Sequence, residues 1–400
     1  MVNINRSALI LALVWGGGVI LNKGFPIYNN FIYILILLVL WLLMHTIVER
    51  RCSHISELLT LLTTCLAVAI IIAIKTKSLF KFYVFFELRV VPITLILFFY
   101  GYQPEKLQAT LFLLLYTVVG RLPLLLYIIS DSDGYHRTLL LTLPITVGFI
   151  IKSPIYLMHI WLPKAHVEAP VGGSMILAGV LLKLGSYGLL LFLPQIKLNR
   201  LLIFYLGISL LGSTVGALIC LRQGDIKLLI AYSSVVHIGV VLIGFLGGTE
   251  LGYTCGLLMV TAHGLTSPFL FSIAYWFYGS SHSRLFVNNT LAWPIISGLL
   301  AGLVSLNINV PPRLRLWSEV LMAMRTFNFI NYAALVLLAI FFLGAAYNLY
   351  FYTVCIHSRF PNKQMYIRSA RIMGVLQVIV LSYFSFLCLD LFHLYQIYNN

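Results

Sequence analysis

Six ionisable side chains stand inside long apolar runs: Glu87, Lys152, Lys183, His237, His263 and Glu319. Each type can both take up and release a proton, as a relay requires. In general, desolvation raises the pKa of a carboxyl and lowers that of a lysine, so burial brings both toward neutral pH. A close opposite charge reverses that shift, so separating a buried ion pair moves a proton. A charge at the bilayer centre costs roughly 2.5–3.5 kcal/mol on insertion scales, which makes all six candidates for function. For the four charged residues the competing reading is an ion pair that only ties helices together. For the two histidines it is a satisfied polar core group. Ser233 and Ser234 lie four and three residues before His237, and Thr266 and Ser267 three and four after His263. Helical spacing puts each set on one face, giving two polar stripes able to hold water or pass a proton.

The elements that carry these residues follow from composition. Of 400 residues, 61% are hydrophobic and 9% charged, against about a quarter charged in a soluble chain. With a mean hydropathy of +0.99, lipid is the main solvent, which excludes a soluble enzyme, a disordered chain and an ordinary nucleic-acid binder. Runs long enough to span number thirteen: 4–21, 30–47, 58–74, 79–100, 109–129, 139–161, 174–193, 201–221, 228–246, 252–278, 291–324, 331–354 and 372–391. They are too long and too continuously apolar for barrel strands. The expected fold is therefore all-α: one polytopic transmembrane domain over 1–400. The first segment is expected to be retained as a membrane helix, since no cleavage pattern follows it.

Two segments are interrupted. The sixth contains Pro154 and reaches Pro163; the eleventh is cut by Pro311-Pro312. Proline breaks a helix, and broken helices at membrane depth survive where they are buried or line a wet cavity. Lys152 lies in the first and Glu319 in the second, five segments apart. That placement points to two inverted five-helix repeats, 58–193 and 201–354, each with a broken helix. The net charge of +15 reads mainly as topology, with Lys and Arg biased so as to place the N-terminus on the side of synthesis. Lys164 and Glu168, four apart in the linker after the first break, are spaced to pair if that turn is helical.

No dinucleotide fingerprint, phosphate loop or zinc-protease motif is present, and no CxxC occurs among Cys52, Cys65, Cys220, Cys255, Cys355 and Cys388. No nucleotide, flavin, haem, iron–sulfur or metal site is expected in the chain.

Particular strings carry a resemblance. They are Phe85-Phe86-Glu87, Phe149-Ile150-Ile151-Lys152-Ser153-Pro154, Leu162-Pro163-Lys164-Ala165-His166-Val167-Glu168-Ala169-Pro170, Gly173-Ser174-Met175 and Leu181-Leu182-Lys183-Leu184-Gly185. Further along come Leu221 to Lys227 with Ala231-Tyr232-Ser233-Ser234, His263-Gly264-Leu265-Thr266-Ser267, His282-Ser283-Arg284, and Pro311-Pro312 through Glu319. In this order they resemble the subunit 4 family of NADH dehydrogenase, the mitochondrially encoded antiporter-like chains of respiratory complex I. The resemblance runs from about residue 30 onward.

It implies a proton-translocating core subunit of the membrane arm, in the mitochondrial inner membrane. Glu87 and Lys152 would form the input-side pair, and Lys183 and Glu319 would continue the relay along a hydrophilic axis that also holds His237 and His263. NADH, FMN, iron–sulfur clusters and ubiquinone would act in other subunits. The partners would be those subunits, neighbouring antiporter-like chains included, and lipids such as cardiolipin, with no nucleic acid. The alternative is a free-standing multisubunit cation/proton antiporter of the same architecture. The chain departs from the family in having thirteen segments where fourteen are usual, the N-terminus looking one helix short. It also carries Arg121, Arg313 and Arg315 where arginine is unexpected, and it reduces the usual string at Gly279 to Arg284. Arg89, two residues after Glu87, is expected on roughly the opposite helix face.

Overall fold

The structure is a computed structural model that describes residues 31–43 without 33 and 37, 57–76, 78–101, 103–132, 139–192, 200–281, 283–286, 294–308, 314–329 and 331–357. Its elements are helical throughout, apart from one isolated bridge between Asp225 and Leu285. In chain order they are α1 (Ile34–Leu43), α2 (Glu57–Lys75), α3 (Leu79–Leu88), α4 (Val90–Tyr100), α5 (Lys106–Ser132), α6 (Leu139–Lys152), α7 (Trp161–Glu168) and α8 (Val171–Ile176). A π-helical turn, Leu177–Leu181, joins α8 to α9 (Leu182–Phe192). There follow α10 (Arg200–Leu221), α11 (Ile226–Leu246), α12 (Glu250–Ser281), α13 (Pro294–Asn307), α14 (Leu314–Phe329) and α15 (Asn331–His357). In hydrocarbon every backbone donor and acceptor must be satisfied within the segment, which long apolar sequences achieve as helices.

Among the described residues eight helices are long and apolar enough to cross a membrane. They match eight of the thirteen expected segments, and α1 matches most of a ninth. The sixth segment is α-helical as α6 up to Lys152, with α7 starting at its last residue, and the eleventh holds α13 and α14. The expected segments 4–21 and 372–391 lie outside the described residues, as do Pro311-Pro312 and Arg313.

Burial sorts the helices. The spans 226–246, 251–279 and 171–192 are 89%, 94% and 83% buried, against 33–50% for the other five. A helix apolar on all sides and buried on all sides is a core helix. Lys183, His237 and His263 all lie on these three spans, away from lipid. The outer helices turn Leu61, Leu111, Leu115, Leu126, Leu211 and Phe342 outward, the faces a bilayer would solvate.

The breaks have identifiable causes. Helix α6 stops at Lys152, two residues before Pro154. Leu157 then adopts a φ of 79°, a left-handed conformation costly for a non-glycine residue. The Trp161 Nε1–H donates to the Ile151 carbonyl at 3.2 Å and ties the two sides of the break together. A second interruption, at Arg89, separates α3 from α4. Pro92 has no N–H to offer the Leu88 carbonyl, so the ladder is cut there.

The turn between α10 and α11 holds the short helix α7 in place. Asp225 caps α11 by accepting from the Lys227 backbone N–H at 3.0 Å. The Lys227 ammonium donates to the carbonyls of Val167 at 3.3 Å and Ala169 at 3.0 Å, at the end of α7. Arg284 Nη1 also donates to Val167, and it lies 3.9 Å from Glu168. Glu168 therefore does not pair with Lys164, although the turn is helical. Lys164 instead sits over the Phe112 ring at 3.9 Å. The expected segments 291–324 and 331–354 leave Arg325 in a connection, but α14 extends past it. Arg325 is buried and donates to the Gly244 carbonyl at 2.9 Å.

Lys227→Ala is expected to strip the Ala169 carbonyl of its ammonium donor and leave Val167 to Arg284, at a cost of about 1–3 kcal/mol. A lower melting temperature of the assembly containing the variant, measured against wild type, checks this.

Candidate functional site

The first cluster forms where α3 meets the end of α6. Lys152 Nζ donates to Glu87 Oε1 in a buried ion pair. The Lys152 ammonium also lies 3.8 Å from the centre of the Phe86 ring, a cation–π contact. Arg89 stands 4.0 Å from the same ring. Arg89 keeps helical backbone angles (φ −63°, ψ −21°); it is buried, and donates to the carbonyls of Phe86 at 2.8 Å and Leu181 at 3.1 Å. Two cations thus face one carboxylate. Glu87 Oε2 is buried without a hydrogen-bond partner among the described residues. Beside the pair is a cavity of about 40 Å³ lined by Arg89, Thr117, Lys152, Trp161 and Leu181, with room for about two waters.

The second cluster lies between the three core spans. The π turn shifts the register just before Lys183, a local geometry that recurs at functional sites. Lys183 Nζ donates to the Ala178 carbonyl, within the π turn, and lies 2.9 Å from His263 Nδ1. No carboxylate pairs with Lys183 among the described residues. The His263 and His237 rings have centroids 5.3 Å apart. His237 Nδ1 is 2.9 Å from Arg315 Nη2, and its Nε2 is 3.1 Å from the Tyr347 hydroxyl. Arg315 Nε donates to Glu319 Oε1 at 3.2 Å, one turn along α14. Its Nη1 donates to Asn307, whose amide in turn donates to Asn348 at 2.9 Å. Arginine is a donor only. His237 Nδ1 must therefore accept, and the ring proton sits on Nε2, facing Tyr347.

All six residues singled out in the sequence are accordingly grouped; five are buried, and Glu87 is 10% exposed. Glu87 and Lys152 form one group; Lys183, His263, His237 and Glu319 form a file across α9, α12, α11 and α14. The groups meet through backbone: a Cβ at Gly185 would lie 3.0 Å from Ser153 N and 3.1 Å from Lys152 C. The expected serine stripe is different in kind. Ser233 and Ser234 donate to the carbonyls of Ile230 and Ala231 on their own helix, and Ser267 to that of His263. Thr266 Oγ1 is buried without a partner among the described residues.

Tyr347, Asn307 and Asn348 escaped the sequence reading because single polar residues in apolar helices have no spacing signal. Arg315 had one: it precedes Glu319 by four in a membrane segment. His166 is fully buried, stacks on Phe271 at 4.6 Å and 10°, and lies within electrostatic reach of Lys183 and Lys227.

A family model described as NADH:quinone oxidoreductase/Mrp antiporter, TM, matches residues 76–345, a span that contains all six site residues. NADH-ubiquinone oxidoreductase chain 4 of Albinaria caerulea is 36% identical over 353 residues, covering 83% of this chain and 79% of that one. The same-named chain of Artemia franciscana is 38% identical over 296 residues, covering 70% and 76%. The chain belongs to the NADH-ubiquinone oxidoreductase chain 4 family. A chain of respiratory complex I from Thermus thermophilus shares the fold of this chain 4 relative, with a TM-score of 0.70 at 21% identity over 93% of each chain.

Gly185→Leu is expected to wedge α9 away from the Lys152 backbone, since overpacking of this kind costs about 1–3 kcal/mol. A lowered melting temperature for Gly185→Leu, with Gly207→Leu as control because a Cβ there meets nothing within 4 Å, checks the close approach.

Proposed function

We propose that this chain 4 family member translocates protons through Glu87, Lys152, Lys183, His263, His237 and Glu319. It does so as a core subunit of the membrane arm of respiratory complex I, in the mitochondrial inner membrane. Its partners are the other membrane-arm subunits, antiporter-like neighbours included, with lipids such as cardiolipin at the outer faces. The hard electron chemistry, from NADH through FMN and iron–sulfur clusters to ubiquinone, belongs to other subunits.

One observation carries this reading. Buried groups able to exchange protons run from Lys183 through His263 and His237 to the Arg315–Glu319 pair, on helices shielded from lipid. The Glu87–Lys152 pair supplies the input. While the pair is closed, the carboxylate holds the ammonium charged. Drawing Glu87 away leaves an unmatched cation in apolar surroundings, and expelling its proton toward Lys183 relieves that cost. Each charge moved works against about 2.3 kcal/mol per 100 mV.

The two broken helices support the repeat boundaries 58–193 and 201–354, each repeat holding one carboxylate–cation pair beside its break: Glu87–Lys152 and Glu319–Arg315. The relatives' names favour the respiratory complex over a free-standing antiporter, although the family description covers both.

In the intact complex reconstituted into vesicles, Glu87→Gln and Lys152→Ala are each expected to cut NADH-driven proton uptake by about tenfold or more. Unchanged protons per electron at unchanged turnover would sink the relay. Failure of the chain to co-purify with an NADH-oxidising assembly would favour the antiporter.

A further inference from the structure

Arg315 stands between His237 and Glu319, hydrogen-bonded to both. It is buried, and its guanidinium is spent on three partners from three helices: His237 Nδ1 on α11, Asn307 on α13 and Glu319 on its own α14. The Tyr347 hydroxyl on α15 faces it as well. Ser318 donates to the Arg315 carbonyl at 2.7 Å and to the Met259 sulfur of α12 at 3.4 Å, which steadies this turn of α14.

Two properties of the side chain matter. Arginine keeps its proton throughout the physiological range, so no proton passes through it by exchange. It also occupies His237 Nδ1 while donating to Glu319. We propose that Arg315 is a fixed-charge gate: it holds the last step of the file, from His237 to Glu319, shut until it swings off both. With the gate open, an extra proton on His237 Nδ1 moves to a Glu319 oxygen. One N–H bond breaks and one O–H bond forms, leaving a neutral imidazole and a neutral acid. A neutral acid no longer anchors the guanidinium. Loss of the proton on the far side restores the carboxylate and draws Arg315 back. Arg315 itself gains and loses nothing.

The first repeat works differently, because Lys152 can shed its proton and take part in the transfer. The two pairs look alike in charge and differ in kind, one a donor and the other a latch.

This inference rests on the relay reading, and the test separates the two. Complex carrying Arg315→Gln is reconstituted into vesicles without NADH. A potassium–valinomycin potential is imposed, and an enclosed pH dye reads passive proton flux. The expected result is a flux roughly tenfold above wild type, since removing the latch opens a general acid–base path. Adding Lys183→Ala should abolish that flux, because it runs through the file. Arg315→Lys keeps the charge yet can lose its proton. Its flux should stay at the wild-type level at pH 6 and rise several-fold by pH 9. Lysine at this position would face His237, Tyr347 and Glu319, with His263 and Lys183 next along the file. A structural role alone would not produce that pH profile. Where Arg315→Gln fails to assemble, Arg315→Lys decides the matter. The gate is overturned by wild-type tightness in assembled Arg315→Gln, by a leak that survives Lys183→Ala, or by a flat pH profile in Arg315→Lys. If Glu87→Gln cuts pumping while Arg315→Gln stays tight, only the gate fails. If Glu87→Gln leaves pumping intact, the relay itself fails.

Discussion

A charge taken out of water must be matched by another charge or by well-placed dipoles, and in this chain almost every feature of the interior answers to that demand. Lys152 is matched by Glu87, Arg315 by Glu319, and Arg89 by two carbonyls exposed at helix interruptions. Lys183 has a carbonyl of the π turn and a histidine nitrogen. Lys227, Arg284 and Arg325 are likewise spent on carbonyls near the ends of broken or terminating helices. The cations are therefore not decorations on a finished scaffold. They occupy the places where the backbone is short of partners, and those places exist because proline or a π turn interrupts the ladder.

The same economy explains why the proton-bearing groups lie in a row. The helices most completely buried are the three that carry Lys183, His237 and His263. Lipid excludes these side chains from the outer faces, so they turn inward, and inward-facing polar groups satisfy one another. Aligned by that constraint, Lys183 and His263 are in hydrogen-bond contact and the His263 and His237 rings lie side by side. Fold stability and conduction thus draw on one set of contacts, and a variant that breaks the file also leaves a buried group unpaired. The two halves use the arrangement unequally. A lysine can give up its own proton when its partner withdraws, whereas an arginine can only move aside.

Much of this was legible in the residue string. Eleven of the thirteen apolar stretches fall on described helices, and Pro154 marks where α6 ends. The six ionisable residues stood out because lipid penalises each of them. Family strings such as Leu162 to Pro170 narrowed the chemistry to proton translocation. Less legible were the partners. Arg89 was expected away from Glu87, but spacing did not say that it would stand over Phe86 and reach the Leu181 carbonyl of another helix. Lys164 and Glu168 had ideal spacing and do not pair, because Arg284 approaches Glu168 from another part of the chain. Ser233 and Ser234 shared a helical face with His237, yet their hydroxyls return to their own backbone.

The sequence by itself determined which residues are out of place in lipid, and where the backbone must break. Both follow from local rules, the transfer cost of a side chain and the missing donor of proline, which need no knowledge of neighbours. Only the tertiary structure decided who meets whom: Lys183 with His263 eighty residues away, His237 with Arg315 seventy-eight residues away, and His237 with Tyr347 at one hundred and ten. Those pairings depend on which helix faces turn inward together. No spacing along one chain encodes that, because the periodicity of a helix specifies its own faces and not the helix it will pack against.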